Sequence, residues 1–295
     1  GGDAGTTNGN PYQNSNDPNA KGNNIAIGRI SLNGSSGGAN VALGSKTFLN
    51  GKGDYNFLGN FAAGFNSTIS NTIAIGSFAG SGATGNKNVW LGTGQAGGST
   101  GNNTVLIGSN SKVDGNFNYG IGHNAELKGE SNAVVGAYNH VTANNTYVLG
   151  DHVDTTLNNA VVLGSQSTAE SSDVVSTPSY TYAGGTVNFA GTAPVSTVSV
   201  GATNQERTIT HVAAGRVSAD STDAINGSQL YGANQQIDNL YNKISNIGKE
   251  ANKGDARAAA LAALHPMQFD PDNRVQVMGG IGHYKDANAL ALGVG

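Results

Sequence analysis

Residues 24–28 read Asn24-Ile25-Ala26-Ile27-Gly28, and this phrase recurs through the first half of the chain. Each copy opens on Asn, continues with two to four mostly apolar residues and closes on Gly. Ten copies occupy residues 24–28, 40–44, 56–59, 71–76, 88–92, 103–108, 118–122, 132–136, 145–150 and 159–164, with closing glycines 14 to 17 residues apart. This period is too short for helical pairs or propeller blades, which need roughly 33 residues. It predicts one coil of a β-solenoid per copy.

Within a coil, the phrase predicts a short strand in which Ile25 and Ile27 point one way and Ala26 the other. Gly and Asn both tolerate the sharp corners between strands. Each coil carries only two or three branched apolar residues, so we expect several rolls to share one core. Aromatic side chains are expected in that core or stacked between coils rather than on a binding face; they are Phe48, Phe61, Phe65, Phe78 and Trp90.

Composition excludes several functions. The chain has 295 residues, of which 45 are Gly, and a net charge of −4 that disfavours nucleic acid as a partner. It has no Cys, which excludes disulfides, thiolate metal sites and Cys nucleophiles. Its first residues have no signal-peptide character, and no run of 18 apolar residues occurs. We expect a piece of a longer protein that lacks both native ends.

Two groups of residues imitate functional sites. Residues 92–97 match the dinucleotide-binding glycine pattern, but another repeat follows where that motif needs a helix. His123, His140 and His152, with Asp151 and Asp154, suggest a metal site across coils. Solvated corner residues explain the histidines better. We therefore predict no catalytic, cofactor or metal site.

Beyond the repeats, residues 171–205 are rich in Ser, Thr, Val, Tyr and Gly and predict a small β connector. Residues 206–230 contain Arg207, Asp220 and Asp223, which could form ion pairs between neighbouring chains or remain exposed to solvent. Asp223 is also a candidate N-cap for the helix that follows.

A heptad pattern begins at Leu230. Apolar or small residues alternate at steps of three and four up to residue 261, and the seam includes Leu230, Ile237, Leu240, Ile244 and Ile247. Such a pattern predicts a coiled coil, and Ile at both a and d shifts the preference towards trimers. The seam then becomes rich in Ala, and we expect the helix to end at His265-Pro266.

The last residues predict two membrane strands. Residues 274–284 and 287–295 alternate in polarity around a tight turn at Lys285-Asp286. About ten residues per strand with every second residue apolar is typical of outer-membrane barrels. Two strands cannot close a barrel, so it must be shared among chains.

This order of segments resembles the trimeric autotransporter adhesins with a YadA-like head. The phrase at 24–28 is similar to the family's head repeat, and residues 160–165 keep the Ser that follows its Gly. Residues 198–230 resemble the neck with its lead-in. The tail from about residue 254 resembles the start of the anchor, to which three chains give four strands each. The early coils depart from the family's 14 residues, and we expect their extra corner residues to bulge from the rod.

The resemblance implies a mainly β protein. It has a trimeric left-handed parallel β-roll head, a neck, a trimeric coiled-coil stalk and the first strands of a shared transmembrane β-barrel. The expected segments are a flexible lead-in (1–23), the head (24–170), the connector (171–205), the neck (206–230), the stalk (231–265) and the truncated anchor (266–295). Arg207, Asp220 and Asp223 are the candidate contacts between chains at the neck.

The implied function is adhesion at the surface of a Gram-negative bacterium, with the chain exported and held in the outer membrane by a type V secretion anchor. Implied partners of the homotrimer are collagen, fibronectin, laminin, host cells or like adhesins. In the best-known heads the repeat phrases contact collagen. The resemblance implies that the matching positions of this sequence contact the ligand. They are Asn24, Ile27, Gly28, Ser45, Ser77, Ser109 and Ser165. The alternative is that these residues have a purely structural role at the coil corners.

Two other functions compete with adhesion. A polysaccharide-cleaving solenoid needs paired carboxylates in a cleft. The few acids of the head form no close recurring pair; they are Asp54, Asp114, Glu126, Glu130, Asp151 and Asp154. A structural module for self-association in biofilms fits the sequence as well as host adhesion does.

Overall fold

The computed structural model describes residues 23–265, 268, 271–272 and 275–295. The described chain divides into two compact units, and the boundary along the chain lies between Ile209 and Thr210. Of the predicted lead-in, only Asn23 is described. Pro266 and Arg274, predicted at the helix end and at the start of a strand, also lie outside the described residues.

The first unit is built from short strands. They are β1 (Ile25–Ile27), β2 (Val41–Leu43), β3 (Phe57–Gly59), β4 (Thr68–Ser70), β5 (Ile73–Ile75), β6 (Thr84–Asn86), β7 (Val89–Leu91), β8 (Val105–Ser109), β9 (Lys112–Asp114), β10 (Tyr119–His123), β11 (Glu126–Lys128), β12 (Ala133–Val135), β13 (His140–Thr142), β14 (Tyr147–Leu149), β15 (Asp154–Thr155), β16 (Val161–Leu163), β17 (Ser179–Tyr182), β18 (Gly185–Asn188) and β19 (Val198–Ser199).

The ten repeat phrases form one parallel sheet, as predicted. Its order is β1-β2-β3-β5-β7-β8-β10-β12-β14-β16-β19, so each phrase lies beside the phrase of the next coil. Two further parallel sheets, β4-β6 and β9-β11-β13-β15, line another side of the roll. This arrangement confirms the β-solenoid.

The third phrase does not end where the repeat pattern placed it. Gly59 lies in β3 and pairs with Ile75, while Asn60 occupies the corner with a φ of 84°. Neighbouring phrases are therefore a uniform 16 residues apart up to Val105 and 14 apart from there to Val161. Asn can replace Gly here because its short side chain tolerates a positive φ.

The expectation that the longer early coils bulge outward is wrong. Their extra residues form a third stacked side, in which Leu32 N–H donates to Thr47 O and Phe48 N–H to Ala63 O. Leu32 and Phe48 are fully buried. Apolar side chains at this corner gain more by filling the interior of the coil than by facing water.

Large and small residues alternate in this core. Trp90 and Phe48 are buried, as expected for the aromatic set, while Phe61 stacks edge-to-face on Phe78 with ring centroids 5.3 Å apart. A side chain at Gly80 would collide with the Trp90 ring. Because interiors are close-packed, each bulky residue here needs a small neighbour.

The connector is β-structured, as predicted, and it also extends the head. Strands β17 and β18 form an antiparallel hairpin. Strand β19 then returns to pair in parallel with β16, with Val198 beside Val161.

The second unit contains one long helix and a hairpin. Helix α1 spans Gly227–Ala262, and the antiparallel strands β20 (Val277–Tyr284) and β21 (Ala287–Val294) pack against it. Asn226 is the N-cap: its side chain accepts from Gln229 N–H, and the Gln229 side chain accepts from Asn226 N–H. The expectation that Asp223 caps this helix is wrong, because Asp223 lies three residues before the cap and binds Arg216.

Candidate functional site

The Asn that opens most phrases lies inside the roll. Asn24, Asn40, Asn56, Asn88, Asn118 and Asn132 are buried, and Thr72, Thr104 and Thr146 continue the same column. Asn24 Oδ1 accepts from Asn40 N–H at 2.8 Å, and its Nδ2 donates to Gly37 O at 3.0 Å. Its amide therefore joins coils, and it lies away from the surface that a ligand would touch.

Gly28 also has a structural task. Its φ is +127°, and a Cβ at this position would overlap the Gly44 carbonyl of the next coil. Backbone approach this close excludes any side chain, so only Gly fits.

The four predicted serines share one corner. Ser45, Ser77 and Ser109 are half-buried and Ser165 is exposed. Ser109 Oγ lies 2.6 Å from His123 Nδ1. On the same corner, Tyr138 stacks on His152 with ring centroids 4.9 Å apart and meets His123 edge-to-face at 5.4 Å. We call Ser45, Ser77, Ser109, His123, Tyr138, His152 and Ser165 the corner surface.

Ile27 belongs to a different surface. It points outward from the ten-phrase sheet, as do its neighbours in register. We call this the apolar face; its exposed members include Ile25, Ile27, Ile73, Ile75, Ile107, Tyr119, Ile121, Tyr147 and Leu149. Apolar patches of this extent are rare on monomeric proteins and mark interaction sites. The outward Ile residues agree with the expectation of a core shared between rolls.

One of the three histidines is not at a corner. His140 opens strand β13, because the 14-residue coils align it with Glu126 and Asp154 in the sheet. Its Nδ1 lies 3.2 Å from Asp154 Oδ1 and its Nε2 lies 3.8 Å from Glu126 Oε2. Lys128 donates to Glu126 at 2.9 Å and lowers the pKa of that carboxyl below its usual value. Among the described residues, no three His, Asp or Glu side chains could hold a metal ion.

The glycine-rich stretch at 92–97 forms a corner of the roll. A turn covers residues 93–98, and Ala96 within it is buried. Strand β8, rather than a helix, follows this stretch. The repeat therefore accounts for these glycines.

The neck residues find partners within their own chain. Arg207 donates to Ser165 O, Ser167 Oγ and Val200 O at 2.7 to 2.9 Å. The Asp220 carboxylate accepts from the Ser218 hydroxyl. Pairing of these groups between chains stays a prediction.

Asp223 pairs with a residue that the sequence did not single out. It accepts from Arg216 Nε and Nη2 at 2.7 and 2.9 Å, and this guanidinium lowers the pKa of Asp223. Arg216 lies in an irregular loop, where no periodicity could have pointed to it.

The heptad seam of α1 is exposed to solvent in a single chain. Leu230, Ile237, Leu240, Ile244 and Ile247 are each more than half exposed. An apolar stripe at alternating steps of three and four is the surface by which coiled-coil helices meet.

The two terminal strands have unlike faces. Gly280, Gly282, Ala287 and Ala291 are buried on the face towards α1, where Ala256 and Ala260 are buried as well. The opposite face exposes apolar side chains, among them Val277, Ile281, Leu290, Leu292 and Val294. No helix in the described part of the chain is both long enough and apolar enough to cross a membrane.

Comparison with known proteins finds matches in the last third of the chain. The family model for the coiled stalk of trimeric autotransporter adhesins matches residues 208–253, and the YadA-like membrane anchor domain matches residues 267–295. Autotransporter adhesin BtaE of Brucella suis is 51% identical over 87 residues, which are 30% of this chain and 12% of that protein. The chain thus spans about an eighth of the length of this relative.

Among solved structures, the C-terminal YadA-like domain of a Burkholderia pseudomallei protein is 43% identical. The match covers 38% of this chain and 53% of that one, with a TM-score of 0.37.

Proposed function

We propose, from the matches of its stalk and anchor segments, that this chain is a YadA-like trimeric autotransporter adhesin, a non-enzymatic protein whose head binds targets outside the cell. The anchor domain locates the protein at the cell surface and outer membrane. The head is a stack of coils tied together by buried Asn side chains.

Three chains assemble in this proposal. The apolar face of each head meets the other heads, and the seam from Leu230 to Ile247 forms the stalk. Burial of apolar surface contributes about 25 cal/mol per Å². This assembly would cover the apolar face of the head and the seam of α1, both of which are exposed in a single chain.

The corner surface is then the proposed ligand site. It combines hydroxyls, imidazoles and the exposed ring of Tyr138. Aromatic rings with a polar end are enriched where proteins bind each other. Three copies on one trimer would raise the apparent affinity of individually weak contacts. Matrix proteins (collagen, fibronectin or laminin), host cells and like adhesins are the proposed targets.

One observation supports this proposal most directly. A β-roll with an exposed mixed polar and aromatic corner precedes, along the same chain, the segments that match the stalk and the membrane anchor. That order separates a recognition surface from the membrane anchor along the chain.

The test compares two sides of the head in the purified full chain. The Ser109→Ala, His123→Ala and Tyr138→Ala triple variant is expected to lose most binding to immobilised collagen, fibronectin or laminin. The Lys112→Ala and Thr142→Ala control changes the β9–β13 side and should retain it. Normal binding by the triple variant would reject the corner surface. If neither wild type nor variants bind matrix or cells while the protein still clumps, the matrix and host-cell targets are rejected and self-association with like adhesins is the function.

A further inference from the structure

The β17–β18 hairpin is an insertion into the last coil of the head. Val161 and Val198 are neighbours in register although they are 37 residues apart, whereas Tyr147 and Val161 are neighbours at the usual 14. The stem is tied to the roll, because Ser196 Oγ donates to Asn158 O at 2.9 Å and Val161 N–H donates to Thr197 O at 3.1 Å. The hairpin therefore projects from a fixed point.

Its two faces differ in chemistry. Tyr180, Tyr182 and Val187 share one face, since Tyr180 pairs with Val187 and side chains alternate along a strand. The two Tyr rings stack with centroids 6.5 Å apart and planes 11° apart. The opposite face carries Thr181 and Thr186, whose hydroxyls lie 3.0 Å apart.

The apolar side of this hairpin packs against nothing in the described part of a single chain that would bury it. Every residue of β17 and β18 is exposed, with Tyr180 at 63%. An isolated two-stranded hairpin is marginally stable in water at best. Exposed strand edges are normally protected by charged residues, but residues 174–205 contain none. A surface of this kind favours a permanent partner.

The position of the hairpin identifies that partner. Strand β19 continues the ten-phrase sheet, and Val198, 65% exposed, extends the outward column of the apolar face beyond Val161. The hairpin thus leaves the roll at the border of the surface that we assign to contacts between heads. A charged host protein would find no ion-pairing group on this hairpin, whereas a second copy offers Tyr147, Leu149 and Leu163 on its last coils.

We propose that the Tyr180–Tyr182 side of the hairpin docks onto the head of a neighbouring protomer and stabilises the trimeric head at its last coils. This inference rests on the trimer of the proposed function. The docking would bury the aromatic pair and leave Thr181 and Thr186 facing solvent.

Photo-crosslinking of the full chain tests the docking. A photoreactive phenylalanine derivative at position 180 should give chain-to-chain products several-fold more often than the same group at position 181. The Tyr180→Ser, Tyr182→Ser double variant should lower the melting temperature of the trimer, and the Thr181→Ala, Thr186→Ala control on the opposite face should not.

The outcomes separate the two proposals. A trimer without cross-links from position 180 overturns the docking alone. The docking is also overturned if the Tyr180→Ser, Tyr182→Ser variant melts like the wild-type trimer but no longer binds matrix proteins. The Tyr180–Tyr182 side of the hairpin would then bind ligand rather than a neighbouring protomer. A wild-type chain that sediments as a monomer overturns the trimer, and the docking with it.

Discussion

The side-chain oxygen of Asn40 accepts two hydrogen bonds from Asn56, one from its backbone N–H at 3.0 Å and one from its Nδ2 at 2.9 Å. Asn40 also donates from Nδ2 to Gly53 O at 2.9 Å. Both Asn side chains are buried, so each bond replaces one to water. This column explains in physical terms why Asn opens the repeat phrase.

Replacing Asn40 by Ala should destabilise the head by about 1–3 kcal/mol, because the Asn56 N–H would be buried without a partner and the half-buried Gly53 carbonyl would lose its donor. Thermal unfolding followed by circular dichroism measures the effect. Asn40→Thr should cost less, since Thr72 occupies the same column two coils away. Asn86→Ala, at an exposed strand position, is the control. Equal shifts for Asn40→Ala and Asn86→Ala would contradict this role for the column.

The repeat phrase predicted the solenoid because each copy carries its own strand and corner. The boundary of the third phrase was misplaced, since Asn60 and Gly59 can both occupy a corner, and only the register of the next coil decides between them. The inward orientation of the Leu32 and Phe48 side chains could not be predicted from the sequence either. Whether a corner residue faces inward depends on the small residues that surround it in other coils.

The candidate site was harder to predict than the fold. Side chains 14 residues apart in sequence, such as Ser109 and His123, become neighbours only after the coils stack. The corner position predicted for His140 is wrong because the 14-residue period does not reveal where the second strand of a coil begins. Asn24 and Gly28 lie in the repeat phrase because they build the coil, so their recurrence carries no information about a ligand.

The seam on α1 predicts how the chains associate. The Ile244→Ser, Ile247→Ser double variant should weaken the trimer, because each buried Ile contributes about 1.5–3 kcal/mol and the substitutions occur in every chain. Heating followed by sedimentation analysis should show dissociation at a lower temperature. The Ser245→Ala, Asn246→Ala control changes positions outside the seam and should behave as wild type. Identical dissociation of both variants would mean that α1 does not associate through this stripe.

The ion pair between Arg216 and Asp223 predicts a pH dependence in the neck. Arg216 lowers the folded-state pKa of Asp223, so the pair stabilises the loop above the unfolded pKa of about 3.9. The contribution is lost as the pH falls through the lowered folded value. Arg216 N–H donates to Asp223 Oδ2 at 3.1 Å, and its hydrogen exchange is a local probe. Asp223→Asn should accelerate this exchange at pH 7 and have no effect in strong acid. A difference that persists in acid would show that charge is not the cause.

The terminal hairpin contacts the backbone of α1 closely at Gly282, and this contact predicts the effect of adding a side chain there. A Cβ at this position would overlap the Ala256 carbonyl and the Ala260 nitrogen, so Gly282→Ala must push the hairpin away from the helix. Overpacking of this kind costs about 1–3 kcal/mol. Hydrogen exchange of the β20 and β21 amides, measured on the full chain in detergent, should become faster. Gly279→Ala is the matched control, since Gly279 is exposed and its nearest neighbour would be Leu292 Cδ2 at 3.9 Å. If both variants exchange alike, the hairpin does not depend on close contact between Gly282 and the helix backbone.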